Sequence, residues 1–314
     1  MAKILMLGNK RSPYCSEVYY WRTFQNMAHE VVFLQESEAT GADIIRNSNV
    51  DAFFWVHTHG WPTHGIDGAI QFLKDKGVPT FGYHLDLYMG LERWKEYSSG
   101  SYIAQLDYFF TVDKLMAEWL NTNTKTKGEY LPAATYEKEC GAGVVDKAKY
   151  PHDIIFTGAK SYHKEWPYRS ILIEWLHKTY GDRFGHYGNG GGLPVIRGTE
   201  LNNLYTSAKI VIGDTLCPGF KYPMYYSDRL FESCGKNAFL IFPRIPGITL
   251  YYQERKEIVL YDFNDFQQLK SLIDYYLVND AERESIRAEA VRRTLQANTY
   301  RHRLQQILDT LNIK

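Results

Sequence analysis

DIIFTG, residues 153–158, is a short apolar run that ends in glycine, and KILMLG, residues 3–8, is another. Runs of this length bounded by glycine read as buried strands of a parallel sheet. Outward from the first, the pattern predicts a helix over 168–180 with Ile171, Leu172, Trp175 and Leu176 on one side. A strand at 184–188, a short helix at 201–207 and a strand at 209–213 (KIVIG) follow. Next come a helix at 228–235, strands at 238–242 (AFLIF) and 257–261 (EIVLY), and a helix at 264–277. The tail from 280 to about 313 reads as helical with a break near Asn298.

Outward from KILMLG, a helix is predicted over 14–27, a strand at 30–34 (EVVFL), a short helix at 42–48 and a strand at 51–57 (DAFFWVH). A helix at 66–76 stops at Gly77. Strands at 78–83 (VPTFGY) and 106–112 (LDYFFTV) lead to a helix capped by Asp113 and running through Leu120. Strand and helix alternate with short connections, as in a parallel sheet with helices on both faces. The rhythm breaks over about 133–151, which reads as a linker. The chain is therefore expected to be α/β, with two Rossmann-like doubly wound domains, residues 1–135 and 151–297. Residues 298–314 form a closing helix that can pack back on the first domain. Doubly wound domains hold ligands outside the carboxyl ends of their strands. Two that face each other leave a cleft as the natural site.

A length of 314 residues agrees with two domains. Lys plus Arg and Asp plus Glu are 36 each, so the net charge is zero. That argues against a protein held to nucleic acid mainly by neutralising phosphates. An apolar content of 45% excludes a disordered chain. The 25 Tyr, 16 Phe and 7 Trp supply flat faces with polar edges on which sugars or bases can stack. Cys15, Cys140, Cys217 and Cys234 form no CxxC pair, so no zinc or redox signature is present. The run Ile4–Leu7 is too short for a signal peptide or a membrane span. The expectation is a cytoplasmic protein with free thiols.

Six stretches can carry chemistry. The loop Gly8-Asn9-Lys10-Arg11-Ser12 leads to a helix start and can present N–H groups and cations to an anion. Gly188-Asn189-Gly190-Gly191-Gly192 lets backbone approach a ligand closely. Neither matches the dinucleotide or P-loop templates, which discounts a nicotinamide-dependent oxidoreductase. His57 and His59 alternate on a strand end and therefore share a face; they suit a general base or substrate ligand better than a metal. His84 and Asp86 sit at the same sheet edge and can share general-base work. Gly158-Ala159-Lys160, with Arg169 later, can clamp a diphosphate. In the stretch Tyr225 to Ser233, Arg229 and Glu232 share a helix face whose N-terminus can meet a phosphate.

The stretch 227–248, SDRLFESCGKNAFLIFPRIPGI, resembles the C-terminal signature of GT-B glycosyltransferases, and most nearly the spore-maturation-type (CgeB-like) glycosyl transferases of group 1. Arg229, Phe231-Glu232, the apolar 238–242 run and Pro246-Gly247 carry the likeness, which extends over about 153–308. The first domain resembles the family only in layout. The resemblance implies a UDP-sugar donor bound by the second domain as co-substrate, with no cofactor and no metal. It implies that Glu232 holds ribose or sugar hydroxyls. Arg229, Lys160 and Arg169 would hold phosphates. Gly188, Tyr226 and Ser227 belong to the same donor-binding set, with Gly8 and Lys10 added from the first domain. Tyr205 or Ile196-Arg197 would flank the base. His57, His59, His84 or Asp86 would meet the acceptor. One departure stands out: counting back from Glu232, Met224 stands where retaining groups carry a second Glu. If transfer inverts the sugar carbon, a base is required; if it retains, the leaving phosphate can serve. The resulting expectation is a glycosyltransferase moving a hexose from a UDP-sugar to a glycan or a modified nucleic-acid base. A sugar-nucleotide epimerase or hydrolase, or a non-catalytic binding protein, are the alternatives.

Overall fold

Six strands make the first sheet: β1 (Lys3–Gly8), β2 (Glu30–Gln35), β3 (Ala52–Trp55), β4 (Thr80–His84), β5 (Tyr108–Thr111) and β6 (Lys127–Tyr130). Their order is β2-β1-β3-β4-β5-β6, with every pair parallel. The computed structural model describes residues 1–58, 61–94 and 102–314. Helices α1 (Ser16–Asn26), α2 (Gly41–Arg46), α3 (Ile66–Asp75) and α4 (Lys114–Asn123) connect these strands. Leu5, Leu7, Phe53, Trp55 and Phe109 are buried in one core with Ile70, Leu73, Met116 and Leu120 from the helices. The edge strand β6 has no counterpart in the predicted elements. Its residues KGEY expose Lys127 and Glu129, and such a strand carries no apolar run to announce it.

The second sheet holds β7 (Ile154–Thr157), β8 (Phe184–Tyr187), β9 (Ile210–Ile212), β10 (Leu240–Pro243) and β11 (Val259–Tyr261) in the order β11-β10-β9-β7-β8, again parallel. Helices α5 (Tyr168–Tyr180), α6 (Glu200–Ser207), α7 (Asp228–Gly235), α8 (Phe266–Val278) and α9 (Asp280–Ala297) accompany it. In α5 the buried stripe is Tyr168, Arg169, Leu172, Ile173 and Leu176, while Ile171 is exposed, so the apolar side expected from the sequence is rotated.

The chain divides into two compact units, residues 1–132 with 300–314, and residues 133–299. Helix α10 (Tyr300–Thr310) thus belongs to the first unit. Tyr300 meets Tyr20 edge to face at 5.0 Å, and Arg303 Nε donates to the Pro132 carbonyl at 3.1 Å. Residues 133–150, expected as linker, pack into the second unit. Asn202 Nδ2 donates to the carbonyls of Glu139 and Gly141, both at 2.8 Å, and Gly143 N donates to Thr206 Oγ1 at 2.9 Å. Gly143 permits this approach, because a Cβ there would lie 2.4 Å from the Asn202 carbonyl carbon. Among the described residues, no helix is long and apolar enough to cross a membrane.

Both sheets share one logic. The first strand has its sequence successor on one side and the strand after that on the other. In such sheets ligands sit outside the carboxyl ends at this point of reversal. It falls between β1 and β3 in the first unit and between β7 and β9 in the second.

Candidate functional sites of the two units

In the second unit, β7 ends at Gly158, whose φ of +124° favours glycine. A Cβ there would lie 2.8 Å from the Arg229 guanidinium carbon, so the bare backbone makes room for that cation. Gly188, φ +147°, closes on Gly158 from the end of β8; a Cβ at 188 would lie 2.3 Å from the Gly158 carbonyl oxygen. His186 Nε2 donates to that same carbonyl at 2.6 Å, and Lys160 N donates to the Asn189 carbonyl at 2.9 Å. The glycine loop and the Gly158 turn are therefore locked together.

Helix α7 presents Arg229 and Glu232 to this region. Ser227 precedes it in extended geometry with no side-chain cap, and its buried Oγ has no hydrogen-bond partner among the described residues. Arg229 is half-buried and makes no ion pair among the described residues. The Glu232 side chain keeps 23% of its surface accessible, and Lys236 Nζ lies 3.6 Å from its Oε1. Burial pushes the Glu232 carboxyl upward; Lys236 opposes the shift, Asp228 adds to it, and Arg197 and Arg229 also oppose it. Those interactions bring Arg197, exposed on its own loop, electrostatically close to Glu232. Lys236, which the sequence reading missed, is itself buried and pairs with Glu139 at 2.5 Å while donating to the Gly198 carbonyl at 2.9 Å.

Several expected donor residues sit elsewhere. Tyr205 is fully buried and bridges Thr157 Oγ1 at 2.8 Å and Ser233 Oγ at 3.3 Å, so it supports α7 against β7 and does not flank a base. Tyr226 is buried and donates to the Pro246 carbonyl at 2.8 Å. Arg169 is buried with its Nε 2.8 Å from Asp214 Oδ2, to which Trp166 Nε1 also donates at 3.0 Å. Its charge is used inside the unit, where a buried ion pair cannot lose one partner cheaply. Lys160 Nζ reaches Glu174 at 2.9 Å across the surface.

In the first unit, a cavity of about 300 Å³ opens at the β1/β3 reversal, lined by Asn9, Ser16, Glu17, His57, Thr58 and His84, with Asp86 and Arg93 among its other walls. Gly8 packs against the Glu17 side chain, 3.3 Å from the Cγ to a Cβ placed there, and Lys10 lies over the Phe33 ring. The side chain of a glutamate therefore lies against the turn at which Gly8 and Lys10 were expected to meet an anion. Burial pushes the Glu17 carboxyl upward. His84 spends both ring nitrogens: Nε2 donates to the His57 carbonyl at 3.1 Å, and Nδ1 accepts from the Tyr88 hydroxyl. Burial lowers its pKa, against the pull of Asp86 3.7 Å away, so it is held neutral and is not a free base. Asp86 faces Arg93 at 3.5 Å. His59 lies outside the described residues.

His57 is placed differently. Its Nδ1 faces Oε1 of Glu36, a fully buried carboxylate just beyond β2. Glu36 also accepts from Trp55 Nε1 at 2.8 Å and from the Thr58 backbone N at 2.7 Å. The sequence reading missed Glu36. Its one signal was its place at a strand's carboxyl end; the pairing with His57 crosses 21 residues and needs the fold. Among the described residues, no three or more His, Cys, Asp or Glu are gathered to hold a metal ion.

Residues 168–309 match the family described as glycosyl transferase-like. No curated protein sequence matches the chain. Among solved structures, an alpha-glucosyltransferase in complex with UDP-glucose and DNA containing an abasic site aligns with TM-score 0.69 at 11% identity, covering 99% of each chain. HepE from Anabaena in complex with UDP-glucose aligns with TM-score 0.64 at 10% identity, covering 99% of this chain and 100% of that one. A glycosyltransferase from Rickettsia africae ESF-5 aligns with TM-score 0.57 at 11% identity, covering 99% and 97%.

Proposed function

We propose that this chain, a GT-B glycosyltransferase by its fold and by its C-terminal domain, moves a hexose from a UDP-sugar donor to the hydroxyl of an acceptor. The observation that carries the reading is the Gly158–Arg229–Glu232 arrangement at the β7 end. A guanidinium that makes no ion pair among the described residues, a glycine turn that makes room for it and a helix start without a side-chain cap converge there. Helix N-termini and arginine forks are what a diphosphate requires. As the sugar leaves, negative charge grows on the diphosphate, and cations already in position stabilise it without reorganising. Glu232, partly accessible beside Arg197 and Arg229, accepts hydroxyl hydrogens of ribose or sugar. Gly188 and Ser227 complete the donor set.

On the first unit, His57 is the residue that takes the acceptor's proton. Asp86 and Glu17 line the same cavity, and carboxylates there suit hydroxyl donors better than phosphates. The acceptor group is accordingly a neutral hydroxyl, from a glycan or from a modified base turned out of its stack. We place the protein in the cytoplasm, in keeping with four unpaired cysteines.

The test is titration of UDP into wild type and Arg229→Ala, followed by UDP-glucose turnover against sugars and a hydroxymethylated DNA duplex. Loss of a bidentate charged contact weakens UDP binding about 10–100-fold. The melting temperature without ligand should hardly move, since Arg229 pairs with no protein carboxylate among the described residues. Equal UDP affinity in the two proteins would overturn the donor assignment. UDP release that no acceptor accelerates would favour a hydrolase.

A further inference from the structure

We infer that Lys236 is a positioning residue of the donor site: from just past the end of α7 it holds Glu232, and the loop that carries Arg197, ready for the hydroxyls of the donor. The inference deepens the proposed function and rests on its assignment of Glu232. Every residue it uses lies in the second unit.

An ammonium has three hydrogens and accepts nothing, so a chain can bury one only where acceptors surround it. Lys236 is 1% exposed. Its Nζ lies 2.5 Å from Glu139 Oε2, 2.9 Å from the Gly198 carbonyl and 3.6 Å from Glu232 Oε1. The three acceptors come from three places: the 133–150 segment, the loop before α6, and α7 one turn back. A lysine that served the helix alone would need Glu232 only and could stand in water, where such a pair is worth little. Here the near partner is Glu139, and Glu232 stands just beyond hydrogen-bond reach. Among the described residues, nothing donates a hydrogen bond to the Glu232 carboxylate. Lys236 therefore gives Glu232 a neighbouring cation without occupying its lone pairs. Burial raises the Glu232 carboxyl, and Lys236 is the largest of the charges that oppose it. A carboxylate kept ionised accepts a hydroxyl hydrogen more strongly than a neutral carboxyl does.

The lysine is itself fixed. Its backbone N donates to the Glu232 carbonyl at 2.9 Å, and Gly141 N donates to the Gly235 carbonyl at 2.8 Å, so the end of α7 is tied to the 133–150 segment. The next residue, Asn237, turns the chain at φ +66° and donates from Nδ2 to Thr206 Oγ1 at 3.1 Å. Glu139 is anchored through its carbonyl, which accepts from Asn202 Nδ2 at 2.8 Å. Arg197 precedes Gly198 in the chain, so the bond to the Gly198 carbonyl also sets where that cation stands beside Glu232. Arg229 is in the first turn of α7, about 10 Å along the axis from Lys236. Phosphates are thus met at the start of the helix and hydroxyls nearer its end, and the two can be tested apart.

The experiment measures melting temperature and the affinities for two ligands: UDP-glucose, which carries ribose and sugar hydroxyls, and 2′,3′-dideoxy-UDP, which carries neither. Four variants are compared with wild type: Lys236→Met, Glu232→Gln, the two combined, and Lys236→Met with Glu139→Gln. Lys236→Met is expected to weaken UDP-glucose about tenfold and to leave dideoxy-UDP unchanged. Glu232→Gln should show the same pattern, and the two combined should lose no more than Glu232→Gln alone, because they act through one contact. Lys236→Met leaves Glu139 without its cation, so its melting temperature should fall. Adding Glu139→Gln removes that stranded charge; melting should recover while UDP-glucose binding stays weak. Equal losses for the two ligands, additive losses in the combined variant, or UDP-glucose affinity that returns together with the melting temperature would show a lysine that only supports the fold, and would overturn the inference while the donor reading stands. Wild type that binds neither ligand would instead defeat the donor reading, and this inference with it.

Discussion

A cation is useful to a phosphate only if nothing in the protein has already claimed it. Arg169 and Arg229 make the contrast. The first is buried against Asp214, and the second lies half-buried beside a glycine turn with no carboxylate partner among the described residues. The space Arg229 occupies exists because residue 158 has no side chain. Gly158→Ala should therefore act twice. It puts a Cβ at φ +124°, costing about 1–3 kcal/mol, and it pushes the guanidinium aside. The expected result is a lower melting temperature together with weaker UDP binding, read by thermal unfolding with and without UDP. A variant that loses stability yet keeps its UDP-induced shift would separate the turn from the site.

At the scale of the element, the sites depend on helices entering at fixed angles, and capping sets those entries. Asp113 is fully buried ahead of α4. One oxygen accepts the Met116 N–H at 3.1 Å, and the other accepts from Tyr88 N and Met89 N, both at 2.9 Å. Tyr88 is the residue whose hydroxyl occupies His84. Replacing Asp113 by Ala removes the cap and takes the acceptor from the buried Tyr88 N–H and the partly buried Met89 N–H, at a cost of about 2–4 kcal/mol. Melting should fall by about 5–10 °C, and UDP affinity should not change, because the donor residues stand on another unit. Asp113→Asn, able to accept through one oxygen only, should fall between. Helix capping at Asp113 was legible in the sequence; its second task, holding Tyr88 and Met89 25 and 24 residues away, was not.

Two features belong to the whole molecule. The last helix, α10, follows the second unit in sequence yet completes the first. A chain ended at Thr299 should lose protection in the first unit, where Tyr20 and the Pro132 carbonyl would lose Tyr300 and Arg303. Hydrogen exchange would show the loss confined to residues 1–132; uniform protection would contradict that division. The second feature is pH dependence. Burial lowers the pKa of His186, whose Nε2–H is committed to Gly158. A histidine depressed in the folded state binds its proton more readily when unfolded, so it withdraws stability as pH falls below about 6.5. His186→Gln escapes that penalty. Its melting deficit relative to wild type should shrink between pH 7 and pH 5, and a constant deficit would show that the group does not titrate with unfolding.

Short apolar runs ending in glycine, spaced by amphipathic stretches, determined two parallel sheets with helices between their strands, since period and length are local properties. Arg229 and Glu232 were legible for the same reason: three positions apart on a helix, they share a face whatever surrounds them. What the sequence left open was everything that turns on distant pairing. Gly8 was legible as a turn at a strand end, but not that Glu17 packs against it, and Tyr205 looked like a ligand until Thr157 and Ser233 enclosed it. Glu36 drew no notice until the sheet set it against His57. The tertiary structure decided these because a charge or a hydroxyl is free or spent according to its neighbours, and the neighbours are chosen by the packing of segments far apart in the chain.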